Sequence, residues 1–170
     1  MALTTGPGEW VMLTYRMPRD PSTPRSSVWR RLRRLGVAQL GDGLVALPAD
    51  ARTREQLEWI AEAVREADGT AGVWLARPAT LAQERELATA MAAARAAEYQ
   101  ALRAEAEAAV SLGDVERARA VRRLRAELGR IRRRDFFPPA ERDAAVAAVE
   151  LLGTSPTGDP HRADPDVVAT

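Results

Sequence analysis

The largely apolar run from Trp10 to Met17, with Val11, Leu13 and Tyr15 on one face, predicts a buried strand. After the turn-forming stretch Met17–Pro24 the spacing changes. Thr23 followed by Pro24 reads as a helix N-cap and first-turn proline, and Val28, Leu32 and Leu35 repeat at helical intervals with Trp29 at the margin. Gly36 fits the C-cap of that helix. Two short apolar runs, Val37–Leu40 and Leu44–Leu47, flank Gly41-Asp42-Gly43 and predict a hairpin. Thr53 and Gln56 form a capping-box pattern that opens a second helix, which buries Leu57, Ile60, Ala61 and Val64 and ends at Gly69. Ala71–Ala76 is a fourth strand.

The predicted order is strand–helix–strand–strand–helix–strand, the split βαβ pattern of an α+β, ferredoxin-like domain over residues 9–78. A helical extension over 79–152 is expected to follow. A long Ala/Glu/Arg helix runs from Thr80 to about Leu112, Gly113-Asp114 breaks it, and a second helix continues to about Arg134. Val121, Leu124, Leu128 and Ile131 give the second helix a coiled-coil-like seam, so the pair should close as an antiparallel hairpin. Asp135-Phe136-Phe137-Pro138 stops the pattern, and its two rings are expected to dock the hairpin onto the sheet. A short helix to Leu152 and a disordered tail over 153–170 complete the expected organisation.

Composition removes several chemistries. The 170 residues include no cysteine, and a single histidine, His161, lies in the Pro/Gly/Asp-rich tail, where it reads as solvent-exposed. Thiolate metal sites, cysteine nucleophiles and histidine triads therefore have nothing to be built from, and no catalytic residue, metal or cofactor is expected. The glutamates at positions 55, 58, 62 and 66 fall at three- and four-residue spacing and read as a solvated helix face. Asp42, between two glycines, is a turn residue first. The four tryptophans are expected in the core or on a dimer face. No apolar run is long enough to span a bilayer and the start lacks a signal-peptide pattern, so a cytoplasmic protein is expected.

Charge is uneven although the formal net is only +1. Residues 114–134 hold nine arginines and three acids, and all basic side chains are arginine, the planar fork suited to phosphates and oxyanions. On a helical projection Arg119, Arg122, Arg123, Arg130, Arg133 and Arg134 lie off the apolar arc, as do Arg30, Arg31 and Arg34 on the first helix. These nine are the candidate nucleic-acid contacts, with the later helix as the principal one. The opposing expectation is a solvated helix whose arginines pair with Glu98, Glu105 and Glu107.

Several segments together resemble the N-terminal half of the chromate-resistance regulators, the ChrB family. They are Trp10–Pro18, Trp29-Arg30-Arg31-Leu32 with Leu35-Gly36, Leu40–Leu44 with Leu47-Pro48, Leu57-Glu58-Trp59, Glu98-Tyr99 and, most specifically, Asp135-Phe136-Phe137-Pro138. Pro139 stands where that family tends to have glycine, and longer members carry a second, C-terminal domain that this sequence does not include. The resemblance implies a regulatory module of the chromate response that acts on DNA or inside a transcriptional complex. A dimer through the sheet domain is expected, and the arginines suit chromate as an oxyanion effector. A sensing function of the C-terminal domain is not carried over. The alternative is a protein-interaction or dimerisation module of a stress response that never touches DNA. Small nucleases with a related sheet need an aspartate at the end of the first strand, where this chain has Tyr15-Arg16-Met17.

Overall fold

The structure is a computed structural model that describes residues 8–20 and 22–154. The segment 155–170, with His161 and most of the tail expected to be disordered, lies outside the described residues. The chain is mixed α and β. Strand β1 (Trp10–Arg16) is followed by α1 (Ser22–Leu35), β2 (Ala38–Gly41), β3 (Leu44–Pro48), α2 (Ala51–Glu66) and β4 (Thr70–Ala76). Three further helices are α3 (Leu81–Ala108), α4 (Asp114–Arg132) and α5 (Glu141–Thr154), with one short 3₁₀ turn at Ala109–Ser111. The four strands form one sheet in the order β2-β3-β1-β4, and every neighbouring pair is antiparallel.

Alternation along β1 sends Val11 and Leu13 to the face covered by α1 and α2, where they are buried with Val28, Leu32, Leu57 and Val64. Among the described residues the opposite face is covered at one end only. There Trp10 donates its indole N–H to Glu84 of α3 at 3.2 Å and stacks on Phe137 with ring centroids 6.0 Å apart. Phe136 packs against the same core, with the Arg52 guanidinium 6.0 Å from its ring. The two rings dock the helical part onto the sheet, as their place before Pro138 predicted.

A second core joins α3, α4 and α5, built on Tyr99, Leu102, Leu124, Ile131, Val149 and Leu152. Glu98 reaches Arg134 and Glu105 reaches Arg123, a register that fixes α3 and α4 as antiparallel. Helix α5 closes this pair into three helices and continues through Thr154, two residues into the expected tail.

Two sequence expectations are corrected. Helix α2 starts earlier, because the Asp50 carboxylate accepts from the Thr53 amide at 2.6 Å while the Thr53 hydroxyl accepts from the Asp50 amide at 2.9 Å. Thr53 is thus the buried third residue of the box, and its hydroxyl also donates to Pro48 O at 2.7 Å. At the other end Asp68, with φ 59°, takes the left-handed position rather than Gly69. Gly69 serves a different need, since a Cβ there would lie 2.6 Å from the Arg16 carbonyl oxygen. Of the four tryptophans Trp10 is in the core, while Trp29, Trp59 and Trp74 are 37%, 63% and 58% exposed.

Candidate nucleic-acid interface

Helix α1 has the sequence STPRSSVWRRLRRL, with five arginines and no acid. Because Val28 and Leu32 must face the sheet, the arginines are left on the outer arc, where Arg30, Arg33 and Arg34 are exposed and Arg31 is half-buried. None of the five forms an ion pair among the described residues. Arg33 and Arg34 occupy the last turn, where cations also oppose the negative end of the helix dipole.

Helix α4 behaves differently. Arg123 pairs with Glu105 across the hairpin, Arg130 donates to Glu127 at 2.7 Å, Arg117 donates to Asp114 at 2.6 Å and Arg134 donates to Glu98 at 2.7 Å. Arg119, Arg122 and Arg133 are exposed and without an ion pair among the described residues. Exposed pairs such as Arg123–Glu105 are each worth only about 0–1 kcal/mol and can exchange partners, so they leave those arginines usable. Arg134 is more committed, being half-buried and packed into the joint between the two cores. Glu107 pairs with Arg103 of its own helix rather than with α4.

The ends of α1 and α4 meet. Gly36 follows α1 with φ +72°, and a Cβ there would lie 2.9 Å from Arg134 Cβ and 2.7 Å from Arg95 Nη1. This brings Arg30, Arg33 and Arg34 to the same end of the molecule as Arg130 and Arg133, although some hundred residues separate them in sequence. Nothing in either helix alone announces that neighbourhood.

Beneath the junction lies a buried polar cluster. Arg95 sits on the apolar stripe of α3 between Met91 and Tyr99, and burial lowers its pKa. Its Nη2 reaches Glu98 at 3.1 Å, while its Nε and Nη1 have no hydrogen-bond partner among the described residues. The Tyr99 hydroxyl donates to Asp135 Oδ2 at 2.8 Å; burial, followed by that bond, pushes the phenol up to about 12. Arg142 approaches the same carboxylate oxygen at 4.0 Å. Glu98, held by Arg95 and Arg134 together, therefore ties α3 to the end of α4. An arginine falling at the core-facing position four residues after Met91 was the available signal for this cluster.

Grooves flank α1 on both sides. One, of about 690 Å³, is lined by Arg16, Arg25, Trp29, Gln39 and Asp42 among others. The other, of about 410 Å³, lies between α1 and α2 and includes Arg31, Arg34, Glu55, Gln56 and Trp59. Arg16, Arg25 and Arg33 were not among the arginines expected from sequence, although the absence of acids in α1 already marked its whole outer arc as basic. No group of three His, Cys, Asp or Glu residues is placed to hold a metal ion, and no helix is long and apolar enough to cross a membrane, among the described residues.

Fold and surface define a small α+β protein in which helix α1 beside the sheet carries only positive charge, with a helical arm held to the sheet by the Trp10–Phe137 stack and the Trp10–Glu84 hydrogen bond. The sequence matches the family described as Protein ChrB, N-terminal, over residues 25–155, and the chain belongs to that family. It is 31% identical over 163 residues to Protein ChrB of Cupriavidus metallidurans, an alignment covering 89% of this chain and 49% of that protein. The chain thus spans about half the length of this curated relative. No solved structure matches it.

Proposed function

We propose that the chain is the DNA-associated, non-catalytic module of a cytoplasmic chromate-resistance regulator, built on a ferredoxin-like unit. The strand order β2-β3-β1-β4 with antiparallel neighbours supports that unit, and family membership supports the regulatory role. The observation that carries the DNA reading is the meeting of α1 and α4 at Gly36 and Arg134. It supports the unpaired arginines of α1 as the principal contact, extended by Arg130 and Arg133. Guanidinium forks on this surface meet phosphates, which fix position and orientation without reading sequence. Arg16 at the end of β1, where a metal-dependent nuclease would need a carboxylate, supports the absence of catalysis. Chromate, a tetrahedral oxyanion, would compete with phosphate for the same forks and act as the effector. Titrating labelled duplex DNA from the gene's own upstream region tests the reading. Binding that weakens steeply with salt is expected, and no binding at low ionic strength would refute it.

One observation favours a second reading, a dimerisation or protein-interaction module. Strand β4 is an edge of the sheet, and it presents Trp74 with Leu75, which is 52% exposed. A homodimer through this edge is compatible with the first reading, since it would leave α1 of both copies free. Sedimentation of the parent protein and of a Trp74→Glu variant decides it, with a monomeric variant as the expected result.

A further inference from the structure

Trp29 of α1 and Trp59 of α2 are large apolar rings held at the surface, in grooves on opposite flanks of α1, which carries no acid. Each lines a groove with two arginines. Trp29 shares its groove with Arg16 and Arg25, and Trp59 shares its own with Arg31 and Arg34. The first groove has a rigid wall. The Tyr15 amide donates to Gly43 O at 2.8 Å, and Gly43 has φ +71°, so a Cβ there would run into the Tyr15 carbonyl oxygen. The hairpin turn is thereby pinned to the end of β1, which fixes Arg16 and Asp42 relative to each other. A register shift between Gln39 and Gly41 re-aims this edge beside the groove.

We propose that these two grooves bind unpaired bases of single-stranded DNA, with Trp29 and Trp59 as stacking platforms and the α1 arginines tracking the backbone between them. This rests on the nucleic-acid reading of α1 and adds a preference of strand type to it. Aromatic rings interleaved with guanidinium groups suit single strands, because every base has a face to stack while phosphates need only positive charge. Glu55 and Gln56 in one groove, Asp42 and Gln39 in the other, supply acceptors and donors for base edges. A second copy of the chain is a poor occupant. A twofold contact through α1 would set its five arginines against the same five, with few acids near to offset them.

The test uses the full chain, a fifteen-nucleotide oligodeoxythymidylate and a hairpin duplex of equal charge, followed by tryptophan emission and by anisotropy. The single strand should quench the emission and bind more tightly than the duplex. Trp29→Ala and Trp59→Ala should each weaken single-strand binding by about 5- to 150-fold, the range expected for losing one stacked base, and leave duplex binding within about twofold. Trp29→Phe and Trp59→Phe keep an aromatic face and should restore most of the affinity. Salt-dependent duplex binding with no quenching by the single strand, or single-strand affinity indifferent to both alanine variants, would overturn this proposal while leaving the nucleic-acid reading intact. No binding of either probe at low salt would overturn both. A change in oligomeric state as the main effect of the variants would assign the grooves to protein contact and also overturn the proposal.

Discussion

Arg134 closes over Gly36 so tightly that a Cβ at position 36 would come within 2.9 Å of Arg134 Cβ and 3.1 Å of its carbonyl oxygen. The glycine is needed twice, for its φ of +72° and for the space. Gly36→Ala is therefore expected to destabilise the protein by about 2–3 kcal/mol, lowering the melting temperature by roughly 5–10 °C. Thermal unfolding followed by circular dichroism checks this. A melt unchanged within about 1 °C would mean that the joint is looser than described.

The Tyr99–Asp135 bond gives the helical core a distinct alkaline response. The phenol has an ordinary value of 10.0 and is pushed up to about 12 in the fold. The protonated form is favoured in the folded state, so the contribution is fully present below pH 10. It is lost as pH rises through the folded value. Tyr99→Phe should cost about 1.5–3 kcal/mol at neutral pH, because a carboxylate with one buried oxygen already unpartnered loses its donor. The same variant should show less loss of stability between pH 10 and 12 than the parent in parallel denaturant titrations. Identical alkaline slopes in the two proteins would contradict the assignment.

Asp50 caps α2, and acceptance from the Thr53 amide is the first cause of its lowered pKa. The sign is opposite to that of Tyr99. Its stabilisation is present above the unfolded value, about 3.9, and is lost as pH falls through the lower folded value. Asp50→Ala should cost about 1 kcal/mol and Asp50→Asn less, since the amide oxygen can still accept. Urea unfolding at pH 7 and at pH 3 separates the two contributions. The gap between Asp50→Ala and the parent should narrow in acid.

Periodicity made most elements legible, because each strand and helix of the sheet layer carries its own apolar pattern. Gly36 and Asp42 sit where turn and cap chemistry predicted. Misjudged features were those decided by a neighbour. Thr53 looked like a cap from its spacing to Gln56, yet Asp50 takes that place because Thr53 is anchored to Pro48. By type Trp29, Trp59 and Trp74 fit a core or a dimer face equally, and only strand and helix phase, which turns them outward, separates the two. The nine arginines expected to meet phosphate were visible as charge alone. Which of them are paired, and that α1 meets the end of α4, depends on contacts between residues as distant as Gly36 and Arg134. No local pattern encodes such contacts.

The central claim is that α1 leads one basic surface that α4 extends. Its most direct measurement is the salt dependence of duplex DNA binding for three proteins: the parent, Arg30→Gln/Arg31→Gln/Arg34→Gln, and Arg119→Gln/Arg122→Gln/Arg133→Gln. Glutamine removes charge while keeping good helix propensity, so all three should melt alike. Each phosphate that an arginine no longer neutralises should reduce the slope of log affinity against log salt by about 0.9. The α1 variant is predicted to show the larger reduction, equivalent to about two phosphates or more, and the α4 variant a smaller one. Equal slopes in all three proteins, or a reduction confined to the α4 variant, would contradict it.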